Sequence, residues 1–287
     1  MTDSADVREV VPLGPDSLTW RFFGDTRMAL TGVRAPVLQN MLPALGQGVL
    51  EHSVIFKDTL ARFRRSAGPI MDTVYGGDRA NETGRRVRDF HTGIKGELPD
   101  GTRYHALDPE TYFWAHTTFL DTLLYGVETF IRPLSEAEKR QIYAESKTWF
   151  RLYGVSDRAM PEDWEGFQAY WRRMLDEELV AHRTARYGVG YVTKGLPRPG
   201  RMPAPIWRVL HPPLHAVARL LSVGGLPPRA RELLGLSWSA ADERRYRRFA
   251  AGVRRLGRVW PLLPEAVRFL PQARRAFARD GHPRPTP

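Results

Sequence analysis

Apolar positions along the chain recur mainly at three- and four-residue spacing, and stretches alternating with a period of two are few. That pattern predicts an all-α protein. Asp108-Pro109 opens the clearest helix, with Asp as N-cap and Pro at the first helical position. This helix should run to about Ile131, with Tyr112, Phe113, His116, Phe119, Leu120, Leu123, Leu124 and Val127 on one wide apolar face. Ser135-Glu136-Ala137-Glu138 reads as a capping box opening a helix to about Tyr153. Further helices are expected over 161–179 and, dense in arginine, over 239–260. An apolar helix over 206–223 should be interrupted by Pro212-Pro213. Two helical pieces should fill 37–56, a short amphipathic helix 57–67, and a polar, Arg-rich helix 79–96. The stretch 19–31 is ambiguous beyond a short initial helix.

Glycine and proline cluster at 195–200 and 224–228, marking loops. The segment beyond them is helical and apolar enough to dock on the rest. The expected organisation is a flexible N-terminus over 1–15, one helical domain over 16–279 and a disordered tail over 280–287. With 287 residues, such a domain can bury a large core and enclose a cofactor.

Composition narrows the chemistry. There is no cysteine, which excludes disulfides, thiolate metal sites and cysteine nucleophiles. The net charge of +11 is uneven: from residue 181 onward there are 21 Lys and Arg against 5 Asp and Glu. A solvated basic face is the plain reading, contact with an anionic membrane or nucleic acid the sharper one. No export signal and no apolar run long enough to span a bilayer are visible, so a cytoplasmic protein with weak or no membrane contact is expected, and nucleic-acid binding is not. The phosphate-loop, dinucleotide, zinc-protease and nucleophile-elbow motifs are absent.

What remains is polar chemistry set into apolar helices. His116 lies among aromatic residues three and four positions away and should be buried and neutral. A neutral imidazole is a ligand for haem iron or zinc; it is also what a core histidine bonded to a carbonyl or hydroxyl looks like. Arg88, His91, Thr92 and Lys95 would share one face of a helix over 79–96, able to bind an anion, polarise dioxygen or donate protons, or simply to face water. Asp72 precedes them as a candidate acid.

An ordered series of short matches runs along the chain. It begins at Trp20-Arg21-Phe22-Phe23-Gly24-Asp25 and passes through His52-Ser53, Arg62 and Tyr75-Gly76. It is densest at Arg88-Asp89-Phe90-His91, Tyr104, Asp108-Pro109 and Trp114-Ala115-His116, and continues to Leu263-Pro264. In this series the chain resembles the MpaB-type oxygenases, a bacterial family with rubber-cleaving latex clearing proteins as distant relatives. The resemblance implies an all-α bundle enclosing haem b, with His116 as proximal ligand and Phe113, Phe119 and Leu120 lining the cofactor. It implies Arg88, His91 and Thr92 on the distal side, with Asp72 as a distal acid. The rubber-cleaving relatives carry an Arg-x-x-Lys-Thr motif where this chain has His91 in place of the lysine. The function implied is haem-dependent oxygenation of a hydrophobic substrate, such as an alkene or isoprenoid, by dioxygen, with an electron donor where the chemistry requires one. The rival is a haem-binding sensor or carrier with two histidine ligands. A third reading is a haem-free helical protein that binds a membrane or nucleic acid through its basic third.

Overall fold

The protein is described by a computed structural model covering residues 9–195 and 197–283 (for residues 60–64, the backbone). It is all-α, as expected. The N-terminal half carries α1 (Leu18–Phe22), α2 (Arg34–Met41), α3 (Pro43–His52), α4 (Thr59–Tyr75) and α5 (Ala80–Asp89). A small antiparallel hairpin, β1 (Lys95–Glu97) and β2 (Arg103–His105), leads into α6 (Pro109–Gly126) and α7 (Glu136–Arg151). There follow α8 (Trp164–Arg173), α9 (Arg183–Thr193), α10 (Ala204–Gly224), α11 (Pro228–Leu234), α12 (Ala240–Leu256), α13 (Glu265–Arg268) and α14 (Pro271–Asp280).

The central element is α6. Its N-cap Asp108 accepts from the backbone of Glu110 and Thr111, and Pro109 stands at the first helical position. A π-helical turn over Val127–Ile131 extends it. Eleven of its eighteen residues are buried, so it has no solvent face of its own and is packed from several sides. The capping box predicted at Ser135 opens α7, with Ser135 Oγ accepting from Glu138 N and Glu138 Oε2 accepting from Ser135 N. Trp20, Trp114, Trp149, Phe113 and Phe150 are among the largest fully buried side chains; Phe113 packs on Phe150 of α7, whereas Trp114 turns to Leu38 of α2 and Trp171 of α8.

One glycine sets how closely α5 and α7 approach. A Cβ on Gly84 would lie 2.2 Å from the Leu152 carbonyl oxygen, a contact no side chain survives. The part of α5 that leads to Arg88 is therefore held against the end of α7.

Several sequence expectations need correction. The helix predicted over 79–96 stops at Asp89. Beyond it His91 Nδ1 takes a hydrogen-bonding contact with the Val87 carbonyl at 2.8 Å, and Thr92 Oγ1 donates to the Asp89 carbonyl. Side chains thus occupy carbonyls left over at the helix end. Lys95 then enters β1. Arg88, His91, Thr92 and Lys95 do not share a helix face. The helix expected over 57–67 runs on to Tyr75 through Pro69, and α10 continues unbroken through Pro212 and Pro213. The short helix α9 lies outside the sequence expectation, and α11, α13 and α14 fall in the segment expected to be helical without given bounds.

At the N-terminus, Val10 N donates to Asn81 Oδ1 and Asn81 Nδ2 donates to Val10 O, while Leu13 is buried. Asp280 ends α14. The remaining parts of the flexible terminus and tail expected from sequence, 1–8 and 284–287, lie outside the described residues.

Candidate functional site

The site begins with His116, on α6 and 2% exposed. Its Nε2 lies 3.1 Å from the Ser146 carbonyl oxygen and 2.8 Å from Ser146 Oγ. A carbonyl only accepts, so the hydrogen sits on Nε2 and Nδ1 carries a bare lone pair. That Nδ1 is buried and has no hydrogen-bond partner. Burial pushes the imidazole pKa down to about 3, against a smaller opposite effect of the Ser146 bond, so the ring is neutral.

The surroundings are aromatic. Trp149, Phe150 and Tyr153 meet the imidazole edge-on at centroid distances of 4.8, 5.2 and 6.0 Å, and Phe113 stacks at 6.5 Å. Of the other residues expected to line a cofactor, Leu120 is buried and the Phe119 ring lies 6.1 Å from Trp149.

Burial makes His116 an acid-labile point of the fold. In the unfolded chain it titrates near 6.5; in the folded chain it stays neutral to about 3. The unfolded state therefore binds the extra proton between these values, and stability falls as pH drops below about 6.5. The slope is about 1.4 kcal/mol per pH unit at most. Denaturant unfolding of the cofactor-free chain at pH 7 and pH 5 should show a smaller drop for His116→Phe than for the wild type. Equal drops would contradict this.

The other candidates lie apart from this centre. His91 is half-buried and meets the Tyr112 ring edge-on at 5.8 Å. Tyr112 in turn contacts Tyr153 at 5.4 Å, so two tyrosines stand between the two histidines. Arg88 pairs with Asp89 at 2.7 Å and passes close to Gly154, just beyond α7. Thr92 is exposed. Asp72 is exposed and lines a different cavity of about 530 Å³ with Arg79, Arg86 and Arg275, which none of the other three candidates lines. His116 and its aromatic neighbours are thus brought together, His91 and Arg88 adjoin them through Tyr112 and the end of α7, and Thr92 and Asp72 are not part of the group.

Sequence reasoning missed Ser146, although a signal was present. Ile142, Tyr143, Trp149 and Phe150 form a helical apolar stripe on α7, and Ser146 is the polar residue inside it. It also missed the buried pair Arg34–Asp121, whose partners lie 87 positions apart. That pair lines a second cavity of about 500 Å³ walled by Trp164, Phe167 and Trp171.

The profile of the family described as ER-bound oxygenase mpaB/B′/rubber oxygenase, catalytic domain, matches residues 20–255. The chain belongs to this family of oxygenase catalytic domains. The match spans α1 through nearly all of α12 and so contains His116, Ser146 and the aromatic enclosure. Uncharacterized proteins of Mycobacterium bovis and of Mycobacterium tuberculosis are each 25% identical to this family member over 231 residues, 78% of this chain and 87% of theirs. No solved structure matches the chain.

Membership raises the question of a cofactor. Among the described residues no group of three or more His, Asp or Glu side chains is placed to hold a metal ion. The donor chemistry at His116 does fit a cofactor that brings its own equatorial ligands. It offers one neutral imidazole, one bare buried nitrogen, and the opposite nitrogen fixed by a carbonyl, the arrangement that orients a ligating histidine. The rings of Phe113, Trp149, Phe150 and Tyr153 pack directly on that imidazole, so a flat macrocycle reaching Nδ1 would displace some of them.

Proposed function

We propose that this oxygenase-family chain uses haem b, whose iron His116 would hold, to oxidise a hydrophobic substrate of the alkene or isoprenoid type with dioxygen. The observation that carries the proposal is the bare, buried Nδ1 of a neutral His116, inside an aromatic enclosure and fixed through Nε2 by Ser146. When bound, haem supplies the dioxygen and one-electron chemistry that no side chain of a cysteine-free helical protein offers.

The chain's own residues do the rest. Ser146 O accepts from Nε2–H, which holds the tautomer and the ring plane. Those of Trp149, Phe150, Tyr153 and Phe113 that stay against the imidazole would exclude water, so charges developing there would be weakly screened and an apolar substrate favoured. Arg88 and His91 border the site beyond Tyr112 and would act on it only through that tyrosine. Thr92 and Asp72, exposed and aimed elsewhere, stay outside this assignment. An electron donor is needed only where one oxygen atom ends as water. The carrier reading, with His91 as second axial ligand, gains no support, because Tyr112 and Tyr153 separate the two imidazoles.

Titrating the full chain with hemin tests the proposal. A Soret band saturating at one equivalent, shifting with dithionite and again with carbon monoxide, is expected. Absence of saturable binding would overturn it. His91→Ala should keep stoichiometric uptake with an unchanged spectrum, because Tyr112 and Tyr153 stand between its ring and His116. Loss of hemin uptake in His91→Ala would show that His91 is a ligand.

A further inference from the structure

Helix α10 packs on α9 and α12 and leaves one face uncovered. Ile206, Val209, Leu210, Leu214 and Val217 on that face are 50, 74, 40, 46 and 40% exposed, and Pro213 between them is exposed as well. At 3.6 residues per turn these six positions fall within one stripe, and none of them carries a charge. The opposite side turns inward: His211 and His215 stack on each other, and His215 Nε2 lies 2.9 Å from the Thr193 carbonyl oxygen. A stripe of this kind on a 21-residue helix needs a partner.

Charge identifies the partner. From Val180 through Arg231 there are nine Lys and Arg and not one Asp or Glu. Lys194 at the end of α9 and Arg198 and Arg201 in the loop leading into α10 are exposed. A second copy of this chain would bring like charge against like charge, and nucleic acid would leave the apolar stripe in water. An anionic lipid surface satisfies both, with headgroups against the arginines and acyl boundary against the stripe. The backbone agrees. Pro212 and Pro213 have no N–H, so the carbonyls of Arg208 and Val209 lose their usual helical donors. The hydrated headgroup layer can donate to those carbonyls, whereas a dry apolar interface cannot.

We propose that the exposed face of α10 seats this protein on the surface of an anionic bilayer, lying in the interface without crossing it. No helix among the described residues is long and apolar enough to cross a membrane. The weak or absent membrane contact expected from sequence rested on the lack of a long apolar run. The helix gathers its apolar residues on one side instead, and the inference holds whether or not haem is bound.

The test is co-sedimentation of the full chain with phosphatidylglycerol–phosphatidylcholine vesicles and with pure phosphatidylcholine vesicles. Binding to the mixed vesicles is expected, with at least tenfold weaker binding to the neutral ones. Val209→Asp/Leu214→Asp, both exposed and so compatible with folding, should lower binding to mixed vesicles at least tenfold with an unchanged melting temperature. Arg198→Glu/Arg201→Glu should erase the preference for anionic lipid. Three results would overturn the proposal: wild type that stays in the supernatant, aspartate variants that bind as wild type does, or a dimer in analytical ultracentrifugation that those variants abolish. The last would assign the face to a second copy.

Discussion

Arg34→Ala is expected to destabilise the fold by about 3–5 kcal/mol, the cost of breaking a buried ion pair from one side. Arg34 lies at the start of α2, with its side chain 8% exposed. Its Nε and one terminal nitrogen donate to Asp121 Oδ2 and Oδ1 at 2.5 and 3.0 Å, and its other terminal nitrogen donates to the Gly225 carbonyl. The guanidinium also lies 4.0 Å over the Tyr125 ring, whose hydroxyl bonds Tyr246 on α12. One side chain thus ties α2, α6, the turn after α10 and, through Tyr125, α12. Removing it leaves Asp121 without its partner beside α6 and a carbonyl without its donor. Replacing both partners, Arg34→Met/Asp121→Leu, should recover much of the loss, because the unpaired charge goes as well. Chemical denaturation reads both variants; a loss below about 1 kcal/mol for Arg34→Ala, the range of an exposed pair, would contradict this account.

His116→Ala is expected to weaken hemin binding by more than about a hundredfold, since loss of a mere supporting partner already costs tenfold to a hundredfold. Alanine favours the helix, so α6 should remain and the helical circular dichroism should be unchanged. Ser146→Ala should weaken binding by about tenfold, the lower end of that scale, through a looser imidazole. The order of the two effects matters: a larger loss in Ser146→Ala than in His116→Ala would mean that the ligand is not His116.

Much of this fold could be read in the sequence because it is written locally. Asp108-Pro109 and the Ser135 capping box need only a few neighbouring residues to act, and both helices begin where those signals stand. The burial and neutrality of His116 follow from its aromatic neighbours at helical spacing. Three failures share another cause. The side-chain bonds of His91 and Thr92 take up carbonyls at an early end of α5, which a reading of residue type and spacing alone passes over. Proline at 212 and 213 was expected to interrupt α10, yet packing against α9 and α12 carries the helix through. Asp72 stood near the other candidates in the chain but faces a separate cavity, because side-chain direction around α4 is set by packing. Long-range pairs such as Arg34–Asp121 leave no local trace.

The most direct test of the central claim is hemin binding by His116→Gly with and without added imidazole. Glycine removes the ligand and leaves space for a free imidazole in the same aromatic enclosure. If His116 is the axial ligand, the variant alone should show weak or no saturable Soret band, and imidazole should restore a one-to-one complex with the wild-type spectrum. If the variant binds hemin as the wild type does, with no response to imidazole, His116 is a core histidine and the claim is wrong.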